Sequence, residues 1–160
     1  MSAETLERLA HRFFFQRGTI LVCIEGMQGD DWSVRAGGGN SAHWVLGHIA
    51  VSRRVLLRYL DAPAEPADWE ELFARDAEHG DPAKFPAPEV LLADIHERGK
   101  DITARLTSMT DEEADAELPR PSPDGGTTVA DRARFFQFHE AYHIGQLGLY
   151  RRLAGRDGAI

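Results

Sequence analysis

The stretch from Thr128 to about Leu153 constrains the fold of this chain more than any other. Thr128 has the side chain of a helix N-cap, and Asp131 lies where a carboxylate suits the first turn. Arg151 and Arg152 fall near the other end, where positive charge suits the helix dipole. A helix of this length needs partners of comparable length, and three other segments carry helical periodicity.

The first runs from about Ala3 to Met27, with Leu6, Leu9, Phe13, Ile20, Ile24 and Met27 along one stripe. The glycine-bearing stretch "GDDWSVRAGGGN" then breaks it. The second starts at an N-cap, Asn40 or Ser41, and ends at Asp61 and Pro63. The third starts near Pro88, and Leu91, Ile95, Ile102, Leu106 and Met109 make its stripe. Gly99 within it costs about 1 kcal/mol relative to alanine.

Strand signals are nearly absent, so the expected fold class is all-α, a four-helix bundle in one domain spanning residues 1–160. The proline-rich stretch 62–88 is long enough to cross the whole bundle. Helices two and three therefore need not be antiparallel neighbours.

A chain of 160 residues buries roughly 70% of its unfolded surface, so no metal or disulfide is needed merely to fold it. The single cysteine, Cys23, excludes an internal disulfide and reads as a small buried hydrophobe. A net charge of −8 with no visible basic face argues against a nucleic-acid partner. The start "MSAETLERLAHRFFFQ" has no signal-like apolar region, and runs such as "TILVCI" are far short of a membrane span. The expectation is a cytoplasmic protein with no membrane partner.

The last segment holds a literal H-E-x-x-H: His139, Glu140, Ala141, Tyr142, His143. Two histidines four apart on a helix lie about 6 Å apart along its axis and about 40° apart around it, close enough to chelate one ion. Two ligands hold a metal weakly, and a functional site needs a third. In the longer zinc-protease pattern, the positions for glycine and the last histidine are Gln146 and Leu149 here. The only acidic side chain after His143 is Asp157, so a third ligand has to come from upstream.

His48, in "SAHWVLGHIA", is the best upstream candidate. It lies within or beside the apolar face, and Gly47 before it leaves room for a close approach by another helix or a ligand. A buried His48 needs partners for both ring nitrogens; a hydrogen-bonded core histidine is the competing reading. His43 points about 140° away from His48. His11, His43, His79 and His96 read as solvated or locally bonded. Glu140-x-x-His143 also matches the unit used by di-iron bundles, but no second such unit exists in the chain.

Together, "W-x-L-G-H-I-A" (Trp44 to Ala50) and "H-E-A-Y-H-I-G-Q-L" (His139 to Leu147) resemble the DinB/YfiT-like metalloprotein superfamily over nearly the whole chain. The resemblance implies a four-helix bundle in up-down-down-up order, with the long crossover between helices two and three. It also implies one divalent metal ion per chain on His48, His139 and His143, and a homodimer. Some such proteins are thiol-dependent transferases or isomerases using low-molecular-weight thiols. A similar bundle forms part of iron enzymes that make sulfur-bearing histidine derivatives; with a single domain expected over residues 1–160, that role is not the expected one.

Three neutral imidazoles leave an ion its full charge and an open position, which activates water or a thiol at neutral pH. The expected function is thus metal-dependent S-transfer or hydrolysis on a small-molecule substrate. The alternative is a non-catalytic metal-binding or ligand-sensing bundle. Zinc or nickel is the expected metal, and iron(II) also accepts imidazole. The catalytic group is unknown; Glu140 as a base and Gln146 on the ligand face are the candidates. Glu140 reads better as an ion-pair or supporting residue, and Tyr142 and Tyr150 as packing residues.

Overall fold

A computed structural model describes residues 3–75, 77 and 81–158. Four long helices form the body: α1 (Ala3–Ile24), α2 (Ala42–Tyr59), α3 (Pro88–Ser108) and, after the short α4 (Asp111–Asp115), α5 (Val129–Leu153). No strand occurs among the described residues, only two isolated bridges, Arg35 with Ser41 and Glu117 with Thr128.

The helix ends follow local chemistry. Ser41 is the N-cap of α2, its hydroxyl accepting from the Trp44 amide at 3.2 Å. Thr128 and Asp131 cap each other's backbone at the start of α5. Asp61, in a left-handed conformation, closes α2. The first helix stops at Ile24 rather than Met27, because Gly26 turns the chain at a φ of 72°. Met27 still reaches the core.

Contacts between helices give their directions. Arg53 bonds the Ile95 carbonyl and Arg105 bonds the Leu60 carbonyl, so α2 and α3 run parallel as neighbours. Gln16 bonds the Gln137 carbonyl and Cys23 the Ile144 carbonyl, so α1 and α5 are parallel as well. Tyr150 bonds the Asn40 carbonyl while Tyr59 packs on Phe136, which makes α2 and α5 antiparallel. The parallel pair α2 and α3 needs the long crossover, which contains 3₁₀ turns at Glu70–Phe73 and Pro82–Lys84.

The core falls into two apolar clusters, one around Trp44, Ile49, Phe73 and Leu147, the other around Phe13, Leu56, Ile102 and Leu106. Between them lies a buried ion pair. The Arg53 guanidinium grips the Glu140 carboxylate with two bonds of 2.7 Å, and both side chains are almost fully covered, at 1% and 2% exposure. Arg53 also donates to Ile95 O at 2.5 Å and Phe13 O at 3.3 Å. One side chain thereby ties all four long helices together. Gly99 makes this arrangement possible: a Cβ there would stand 2.4 Å from Arg53 Nη1.

Candidate metal centre

His48 on α2 and His139 and His143, midway along α5, meet on one face of the bundle. His139 Nε2 lies 3.4 Å from His48 Nε2 and 3.1 Å from His143 Nε2. The ligating atoms of the three rings all fall within 4.8 Å of one another, and among the described residues no other histidine, cysteine or carboxylate joins them.

The far sides of two of the rings are held by acceptors. His48 Nδ1–H donates to the Phe73 carbonyl at 2.7 Å, and since a carbonyl only accepts, the tautomer is set. Its Nε2 then carries a lone pair facing the other rings. His143 Nδ1–H donates to Gln146 Oε1 at 2.7 Å, with the same result. His139 Nδ1 is buried without a partner.

Lone pairs brought together in this way repel unless a cation or proton lies among them. Four-coordinate zinc with nitrogens at 2.0–2.1 Å places those nitrogens about 3.3 Å apart. The two separations from His139 bracket that value and the third pair lies within 4.8 Å, so the three side chains could hold a metal ion.

Burial keeps the rings neutral. It lowers the proton affinity of His139 to a pKa of about 3, with further depression from His143, His48 and Arg75. Burial, then the nearby His48, brings His143 down to about 4 against the opposing pull of Gln146. His48 is lowered in the same direction, again chiefly by burial. Neutral imidazole is the form that binds metal.

Neighbours hold the rings in place. Trp44 stacks on His48 with centroids 4.7 Å apart and planes 12° from parallel, while its indole N–H bonds the Leu72 carbonyl. The space that Gly47 leaves is filled by Phe73 of the crossover rather than by a helix or a ligand: a Cβ at Gly47 would stand 2.4 Å from the Phe73 ring. The crossover thus packs against α2 and supplies the carbonyl that orients His48.

The other sequence-marked residues separate clearly. Glu140 is committed to Arg53 and does not line the histidine cavity. Gln146 orients His143. Tyr150 is buried and bonded to Asn40 O at 2.9 Å, but Tyr142 is exposed, touching His143 edge-on rather than filling the core. His43 is neither solvated nor locally bonded: its Nε2 meets the carbonyl of distant Pro86 at 2.8 Å. His11 is exposed, His96 is half-buried beside Glu97, and His79 lies outside the described residues. Cys23 is buried and its thiol pKa is pushed up by that burial, against an opposing effect of Arg151, so it is poorly nucleophilic. Sequence reasoning missed Phe73 and Arg53. An arginine inside the apolar face of the second segment was the one available signal for the latter.

A cavity of about 850 Å³ opens over the histidines on the α2/α5 face, in the size range of small-molecule sites. Val51, Val55, Tyr59, Phe135 and Phe136 give it apolar walls. No helix among the described residues is long and apolar enough to cross a membrane. Comparison with known families matches residues 13–147 to the family described as the DinB superfamily. No curated protein matches the chain.

Proposed function

The chain belongs to the DinB superfamily, and we propose that it is a metal-dependent S-transferase that uses His48, His139 and His143 to hold one divalent ion, zinc or nickel, and a small thiol as its co-substrate. The observation that carries this reading is the convergence of three imidazole Nε2 atoms at the wall of an open cavity, with no fourth protein ligand among the described residues. A closed structural zinc site normally has four. Bound there, a divalent ion supplies concentrated positive charge beside an open face, which acidifies a thiol or a water.

Thiol transfer is preferred to hydrolysis because of what the cavity lacks. No aspartate or glutamate lines it among the described residues, and Glu140 is taken up by Arg53. Hydrolysis needs a group to take a proton from the attacking water and return one to the leaving group, whereas a thiol with a pKa near 8.5 already loses its proton readily. In the proposed reaction the thiol proton passes to solvent and sulfur bonds to an electrophilic carbon. The leaving group departs with the displaced electron pair. Phe73 O and Gln146 keep the imidazoles aimed, and the apolar walls hold the electrophile and limit water.

A second copy of the chain is the proposed partner for the apolar surface where Phe15 of α1 and Phe138 of α5 are exposed. The test of function is a panel of low-molecular-weight thiols with an electrophilic aryl halide, read as thiol consumption. Activity that is lost on chelation and restored by zinc or nickel supports the proposal. Metal-loaded protein that consumes no thiol in the panel, yet binds small ligands, favours a sensing bundle instead.

A further inference from the structure

Arg132 lies on the same face of α5 as the site histidines. It is seven residues before His139, hence about 10 Å away along the axis and nearly in line with it. Its side chain is only 8% exposed. Its Nη2 donates to Arg120 O at 2.9 Å and Pro121 O at 3.2 Å, and its guanidinium sits 4.3 Å over the Tyr59 ring. Nε is covered and has no acceptor. Among the described residues no carboxylate pairs with Arg132, in contrast to Arg53, the other buried arginine, which has Glu140.

A nearly buried cation without an anion is costly unless one arrives. Arg132 lines the histidine cavity, together with exposed Arg75, and the described lining contains no acidic residue although the chain carries 26. Between Arg132 and the histidines the wall is aromatic: Tyr59 packs on Phe136 at 6.2 Å, and Phe136 on His139 at 6.2 Å.

We infer that the site takes an organic carboxylate with an apolar or aromatic body, its carboxylate meeting Arg132 and its body lying along Tyr59 and Phe136 toward the histidines. The inference rests on reading this cavity as a substrate site. One guanidinium, with Nη2 already engaged by two carbonyls, suits a monoanion better than a phosphate dianion, which needs more donors.

The test is calorimetric binding of 4-phenylbutyrate and of its uncharged amide to chelator-treated protein, so that no ion can hold the carboxylate. The acid is expected to bind at least tenfold more tightly than the amide. Arg132→Gln is expected to bring the two to similar affinity, while Arg75→Gln keeps most of the preference. Equal affinities in the native protein overturn the inference, and do so whether or not Arg132→Gln folds. So does a preference that survives in a folded Arg132→Gln protein, or one that Arg75→Gln alone abolishes. Failure of the metal reading is seen separately, as absence of bound metal in protein that still prefers the acid.

Discussion

Replacing Glu140 with glutamine separates two roles for the glutamate of the H-E-x-x-H string. A general base would lose its chemistry in Glu140→Gln with little change in stability. The structure instead gives both carboxylate oxygens to Arg53, through two bonds of 2.7 Å in a nearly fully covered environment. Hydrogen bonds to charged groups are each worth about 1.5–3 kcal/mol, and removing one partner of a buried pair typically costs about 3–5 kcal/mol, because the remaining charge is stranded. Glutamine keeps the shape and one acceptor but not the charge, so the expected loss is about 3 kcal/mol. That is a large share of the roughly 5–15 kcal/mol that holds a domain folded. Urea denaturation of chelator-treated protein, followed by circular dichroism, measures it without interference from metal binding. Arg53→Met combined with Glu140→Leu should lose less than the sum of the single changes, since neither charge is then left alone. A loss below about 1 kcal/mol in Glu140→Gln, or strict additivity in the double variant, refutes the clamp.

Gly47→Ala gains about 1 kcal/mol of helix propensity, yet it must displace the buried Phe73 ring, which such overpacking makes unfavourable by about 1–3 kcal/mol or more. Net destabilisation in thermal melts, with zinc affinity reduced at least about tenfold as the Phe73 carbonyl leaves His48, is the expected result; a more stable variant with unchanged affinity contradicts it. The stability of chelator-treated protein should also fall on acidification. His143 has a pKa of about 4 when folded against about 6.5 unfolded, so its contribution is complete above pH 6.5 and is lost as the pH drops toward 4. His143 alone makes the loss on the order of 1 kcal/mol between pH 6 and pH 5, and the more exposed His139 adds less. Urea midpoints that stay level across that interval would contradict the buried, neutral imidazoles.

The four long helices were legible because their signals are local. Ser41, Thr128 and Pro88 mark starts, and the apolar steps of α1 and α3 match the residues found buried. The 3₁₀ turns and α4 were not, since pieces of three to five residues have no period to detect. His48, His139 and His143 could be singled out by residue type and helical spacing. What surrounds them could not, because it depends on tertiary approach. Phe73 reaches His48 from a crossover 25 positions away, and Arg53 meets Glu140 across 87. Gly99 shows the same limit: read along the chain it only weakens a helix, but in the fold it is the gap that admits a guanidinium.

The most direct test of the metal centre is elemental analysis of protein equilibrated with zinc or nickel and then desalted, with His48→Ala carried alongside. One ion per chain in the native protein, and its loss from a variant that keeps its helical spectrum, is the predicted outcome. Native protein that emerges without metal, or a variant that retains a full complement, would contradict the shared coordination of one ion by α2 and α5.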